Sequence, residues 1–146
     1  MSAETLRALP PRQTDWFLLD AARVAAFADV TEDWQPIHLD GTAAQAAGFD
    51  APVVHGFLTL SMLSAMSYQV VPELPGVRSS VNYGFDRIRF VSPVAVGTRV
   101  RGSFTVASVD EGEGHLTVHW DVAVTAEDME KPALVAQWIT RLVMED

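Results

Sequence analysis

The chain predicts an α+β fold in which a curved antiparallel sheet wraps around one long central helix, and three observations predict it. Residues 56 to 70 are apolar nearly all the way round a helix, the mark of a helix enclosed on most sides. After Pro72 and Pro75-Gly76 the texture changes to alternating apolar and polar residues, the period of half-buried strands. Helical segments come first and hairpins follow, which is the order of an α+β domain. A helix apolar all round needs more cover than one small sheet supplies, so pairing with a second copy, as a homodimer, is expected.

Residues 1 to 13 read as a loose lead-in, and Trp16-Phe17-Leu18-Leu19 as a first short strand. Asp20 can cap a helix with apolar positions Val24, Phe27, Ala28 and Val30. Pro36 disfavours helical geometry at Gln35, so that helix should finish near Thr31, leaving Asp33 and His38 on a turn. A short Ala-rich helix is expected over Thr42 to Ala47, ended by Gly48, with Asp50-Ala51-Pro52 leading into the core helix that opens at Gly56. Ile88 and Phe90 alternate with Arg87 and Arg89, and Val100, Phe104 and Val106 with Arg99, Arg101 and Ser103. An acidic turn from Asp110 to Gly114, a strand through Leu116, Val118, Trp120, Val122 and Val124, a turn near Asp128 to Pro132 and a last strand from Leu134 to Met144 complete the chain.

At 146 residues, half of them apolar and with no linker-like stretch, the whole of 1–146 is expected to be one domain. The absence of cysteine excludes disulfides and thiolate metal sites, and the formal charge of −9 argues against a nucleic-acid binder. The apolar run from Val53 to Val71 is of membrane length, but His55, three serines and Gln69 interrupt it, so a buried helix is expected in place of a membrane span. No basic segment followed by an apolar one precedes a cleavage site, which makes cytoplasmic the default location.

Two segments carry candidate chemistry. Asp33-Trp34-Gln35-Pro36-Ile37-His38 sets an acid and an imidazole either side of a proline, able to hold a water between them. His55-Gly56 opens the core helix, where a glycine offers unhindered N–H groups to an oxygen that gains negative charge. The plain alternatives are an Asx-type turn with a surface histidine, and a close-packing glycine. Ser61, Ser64 and Ser67 form a stripe on the core helix that hydroxyl-to-carbonyl bonding one turn back would explain. Arg78, Arg87, Arg89, Arg99 and Arg101 are half of the ten basic residues, with Asp86 the one acid among them. Such an island is either a solvated outer sheet face or a phosphate site. His115 and His119 lie about 13 Å apart along a strand and cannot share one ion.

The sequence Phe27-Ala28, Asp33-x-x-Pro36-Ile37-His38-Leu39-Asp40, Phe49 and Val54-His55-Gly56-Phe57-Leu58 resembles the MaoC-like dehydratase family, the R-specific enoyl-CoA hydratases of hot-dog fold. Asn82-Tyr83-Gly84, Arg89-Phe90, Pro93-Val94-x-x-Gly97 and Lys131-Pro132-Ala133 look like its branch related to nodulation protein N, so the resemblance runs from residue 15 to residue 143. It implies reversible syn addition of water to a trans-2-enoyl thioester, giving a (3R)-3-hydroxyacyl-CoA. By position, Asp33 and His38 hold and activate the water, the Gly56 N–H binds the thioester oxygen, and Ser64 supports the aspartate, with His55 as a further supporting residue. The substrate implied is an acyl-CoA or acyl-carrier thioester, and no metal or redox cofactor is required. CoA phosphates are assigned to Arg87, Arg89, Arg99 and Arg101. Gln35 stands where the usual signature has Asn, which leaves the dyad intact and bears on acyl-chain preference. A hot-dog thioesterase, which releases free thiol, and a non-catalytic acyl-thioester or partner-binding module are the rival readings.

Overall fold

The structure, a computed structural model, describes residues 2 to 145. Its elements run α1 (Ser2–Arg7), β1 (Arg12–Gln13), β2 (Phe17–Leu19), α2 (Ala21–Thr31), α3 (Pro36–Leu39), α4 (Gly41–Ala46), α5 (Gly56–Val70), β3 (Val77–Phe90), β4 (Thr98–Gly112), β5 (His115–Ala126) and β6 (Leu134–Met144). The antiparallel sheet has the order β1-β4-β5-β6-β3, with β2 also on β4. β4, β5 and β6 form a meander, whereas β3 crosses to the far side and pairs with β6 from Phe90↔Leu134 to Val77↔Met144.

The inner face of the sheet presents Val100, Phe104, Trp120, Val122, Val124 and Trp138 to Leu58, Leu63, Met66 and Val70 of α5, and all of these are buried in one core. Phe104 stands edge-on to both Trp120 and Trp138, and the Trp120 indole donates to Thr140 Oγ1 at 3.0 Å, so the large rings pack without an orphaned N–H on Trp120. Gly102 makes the close approach possible. A Cβ there would lie 2.6 Å from the Phe104 ring and 2.9 Å from Met66 Sδ, the contact where helix meets sheet.

Residues 2 to 13 correct the expected loose lead-in. α1 buries Leu6 completely together with Ala3, Arg7 donates to the Val109 carbonyl at 2.9 Å, and β1 pairs with β4 at Arg12↔Phe104. A six-residue helix with few apolar positions has too little periodicity to be read from sequence. Leu6→Ala is expected to cost about 2–4 kcal/mol of unfolding free energy, read from the midpoint of urea unfolding, as for other fully buried leucines.

The two edges of the sheet are treated differently. β1 and β2 cover the outer edge of β4, and Thr14 closes the gap between them by accepting from Gly102 N at 3.0 Å. The 14-residue β3 pairs with β6 alone and exposes Val81, Tyr83 and Phe90. Beside it α5, apolar all round, is covered by the sheet on one side and leaves Phe57 68% and Tyr68 83% exposed on the other. Among the described residues no helix is long and apolar enough to cross a membrane.

Candidate active site

α2 is capped by Asp20, whose carboxylate accepts from Arg23 N at 2.9 Å, and ends at Glu32 in the left-handed region with φ 58. That turn throws Asp33 out of the helix. Pro36, at the first position of α3, starts a new helical turn with its fixed φ, so His38 sits on a short helix and not on the turn expected. Asp40 caps the next helix by accepting from Thr42 N at 2.7 Å. Two bonds clamp α3 to the strand-like segment before α5: Val53 N donates to Ile37 O at 3.1 Å, and His38 Nδ1 lies 2.6 Å from Val53 O.

These bonds fix the chemistry of the rings. A carbonyl only accepts, so a neutral His38 ring carries its proton on Nδ1 and has its lone pair on Nε2, the form a general base needs. His55 is tied the opposite way, its Nε2–H donating to the Asp33 main-chain carbonyl at 3.0 Å. The two rings stack with centroids 3.8 Å apart and planes 27° apart, and Phe27 tilts against His55 at 5.0 Å. Asp33 Oδ1 accepts from Gln35 N at 3.3 Å, the Asx-type turn, and Oδ2 lies 4.0 Å from His55 Nε2. The Asp33 side chain is 46% exposed, against 9% for His38 and 2% for His55, so the carboxylate meets solvent at the mouth of a buried imidazole pair. Ligand atoms of all three residues fall within 4.8 Å of one another. Stacked rings, however, send their in-plane lone pairs side by side instead of to one point, which is a poor donor set for a metal.

His55 is also the N-cap of α5, its carbonyl accepting from Leu58 N and Thr59 N. Gly56 and Phe57 are the first two helical residues, and among the described residues no acceptor meets their N–H groups. Gly56 lines a cavity of about 220 Å³ with Val53, Val54, Thr59, Phe90 and Ser92. A Cβ at Gly56 would sit 2.9 Å from the Phe90 ring, so this glycine is a close-packing site, as its plain reading has it. The sequence reading missed Phe57 N–H, Val53 O and the ring stack; the first follows from counting helix positions, the others have no local signal.

Among the described residues no hydrogen bond joins Ser64 to Asp33. The serine lies eight residues beyond Gly56, about 12 Å along the helix axis, and its carbonyl accepts from Ser67 Oγ at 2.7 Å. Ser61 bonds back to Phe57 O at 2.7 Å, as the plain reading of the stripe has it.

The arginines do not form one patch. Arg87 and Arg89 are on β3, Arg99 and Arg101 on β4, and β5 and β6 lie between those strands, a separation of about 14 Å at the usual strand spacing. All four share the outer face, opposite the buried Val100 and Phe104 parity that meets α5. Arg99 is hydrogen-bonded through Nε to Glu127 at 2.9 Å; that bond raises the guanidinium above its ordinary value and holds the Glu127 carboxyl below its own, with little gain in stability at so exposed a site. Arg101 stacks over the Trp16 ring at 4.4 Å.

The chain is similar to known proteins over most of its length. Nodulation protein N of Rhizobium leguminosarum bv. viciae is 41% identical over 130 residues, covering 88% of this chain and 81% of that protein. The 3-hydroxyacyl-thioester dehydratase Z of Mycobacterium tuberculosis is 38% identical over 132 residues, 90% of this chain and 87% of its own. Among solved structures, the (R)-hydratase from A. caviae involved in PHA biosynthesis superposes with a TM-score of 0.76 at 29% identity, covering 94% of this chain and 98% of that one. The sheet wrapped on α5 is thus the hot-dog fold, and, with the profile of the MaoC like domain matching residues 3–128, the chain belongs to the MaoC-like family.

Proposed function

We propose that this protein catalyses the reversible R-specific hydration of trans-2-enoyl thioesters, in fatty-acid metabolism. The observation that carries the reading is the His38 tautomer: a ring whose Nδ1–H is held by a carbonyl keeps Nε2 free as a base, one stacking distance from the residue that opens α5. His38 and Asp33 hold the attacking water and exchange its protons, and the Gly56 N–H at the helix start takes the charge that develops on the thioester oxygen. Water adds to C3 and a proton to C2 with no change of oxidation state, so the residues suffice without a metal or redox cofactor. The names of dehydratase Z and the (R)-hydratase support the reaction class.

With a short trans-2-enoyl-CoA, the enoyl absorbance should fall with no free thiol appearing, and the product should be the 3R alcohol. Stoichiometric thiol release would establish a thioesterase instead. Neither signal, across short and medium chains with the assembly intact, would favour a binding module.

The working form we propose is a cytoplasmic homodimer, in which a second copy covers the open edge of β3 and the uncovered side of α5. A long unpaired edge is otherwise a template for uncontrolled pairing. Sedimentation at micromolar concentration should give the mass of two chains. Val81→Lys with Tyr68→Lys should weaken the dimer by about 2 kcal/mol or more, as loss of central apolar contacts does; a wild-type monomer would overturn this.

A further inference from the structure

We propose that His55 is a positioning residue, the hub that holds both halves of the site in register without touching substrate. The inference rests on the hydratase reading for its kinetic consequence and on geometry alone for the rest. Four contacts meet at this one side chain and its backbone. Its Nε2–H donates to the Asp33 carbonyl at 3.0 Å, which anchors the loop that carries the carboxylate. Its ring face stacks on His38 at 3.8 Å, and Phe27 of α2 closes the other side at 5.0 Å. Its carbonyl accepts from Leu58 N and Thr59 N and so starts α5, whose next residue, Gly56, offers the free N–H.

The chemistry excludes a direct role. Nε2 holds a proton committed to a carbonyl, and Nδ1 is buried with no hydrogen-bond partner among the described residues. An orphaned ring nitrogen at a site that is 2% exposed is a cost that a phenylalanine or leucine would avoid if filling space were the whole task. What those residues lack is the donor to Asp33, and what an amide would lack is the ring face for His38. Histidine alone supplies both, while a stacked neutral ring leaves the His38 base unobstructed at its edge.

Two variants separate the two contacts. His55→Phe keeps the ring and loses the donor; His55→Gln keeps a donor near the Nε2 position and loses the ring. In histidine-labelled wild-type protein, nitrogen NMR should show two slowly exchanging imidazole N–H groups, on Nδ1 of His38 and Nε2 of His55. In His55→Phe, exchange of the Asp33 to Ile37 backbone amides should quicken by about tenfold while the His38 N–H stays protected. In His55→Gln the His38 N–H should lose protection while that loop keeps its own. Each variant should lower kcat by about a hundredfold, the effect of misplacing catalytic groups by an ångström, with KM within about threefold. Unchanged protection in both variants, or turnover near that of the wild type, would overturn the proposal. If neither variant folds, the wild-type spectrum decides: a His55 ring protonated on Nδ1 alone overturns it. Wild-type protein with the expected spectra but no enoyl hydration would overturn the hydratase reading and leave the hub standing.

Discussion

His38→Ala is expected to lower kcat for enoyl-CoA hydration by about a hundredfold to ten-thousandfold, the range of a lost general base. The argument is the hydrogen bond from Nδ1 to Val53 O at 2.6 Å, which leaves Nε2 as the one basic atom on the ring. Alanine also removes the donor that Val53 O uses, so a structural defect could lower the rate for a trivial reason. His38→Asn removes that ambiguity, because its amide nitrogen occupies nearly the place of Nδ1 and can still donate to the carbonyl, yet no base remains. Loss of rate equal to that of the alanine variant, with a melting temperature nearer the wild type, identifies the base. Asp33→Asn should cost about a hundredfold, since its carboxylate already makes the Asx-type turn with one oxygen and an amide can keep that bond. The double variant should be little worse than the worse single, as expected for groups acting as a unit. Near-wild-type turnover in His38→Asn and Asp33→Asn would sink the dyad.

Gly56→Pro should lower kcat by about a hundredfold to a thousandfold, the usual effect of removing one oxyanion donor. Proline takes away the N–H and nothing the helix requires, because the first helical position has no intrahelical acceptor to lose and favours proline's φ. His55, at φ −56 and ψ 130, already has the extended ψ that a residue before proline adopts. The added carbons crowd the Phe90 ring, which a Cβ would meet at 2.9 Å. Gly56→Ala carries the same Cβ and keeps the N–H, and is therefore the control. Alanine near wild type with proline slow assigns the effect to the N–H; equal losses in both would assign it to crowding, and unimpaired proline would move the oxyanion site to Phe57 N–H or elsewhere.

The parts of the fold legible in sequence are those whose signal is local. Asp20 before an apolar-periodic run, Gly56 opening fifteen residues of helix and the alternation of β5 each state their conformation within one window, and α5 and β6 run between the residues expected. β3 was readable only at Ile88 and Phe90. Three register shifts, between Val77 and Ser79, Asn82 and Gly84, and Phe85 and Arg87, break the period of two on which such a reading depends. The Asp33-to-His38 motif likewise identified its residues without their geometry, since Pro36, read as the end of one helix, begins another.

By itself the sequence determined the fold class, the core helix, the family and the residue types of the site, because periodicity, capping and motif are properties of neighbours along the chain. Only the tertiary structure decided which of them meet. His38 and His55 stack because Val53 is hydrogen-bonded to α3, Ser64 is carried two turns away from Gly56 by the rise of the helix, and the arginine island is split because β3 and β4, consecutive in the chain, are separated in the sheet by β5 and β6. Contacts of that kind arise from the order in which strands pair, and strand order is set by how the whole chain buries its apolar faces, not by any segment read alone.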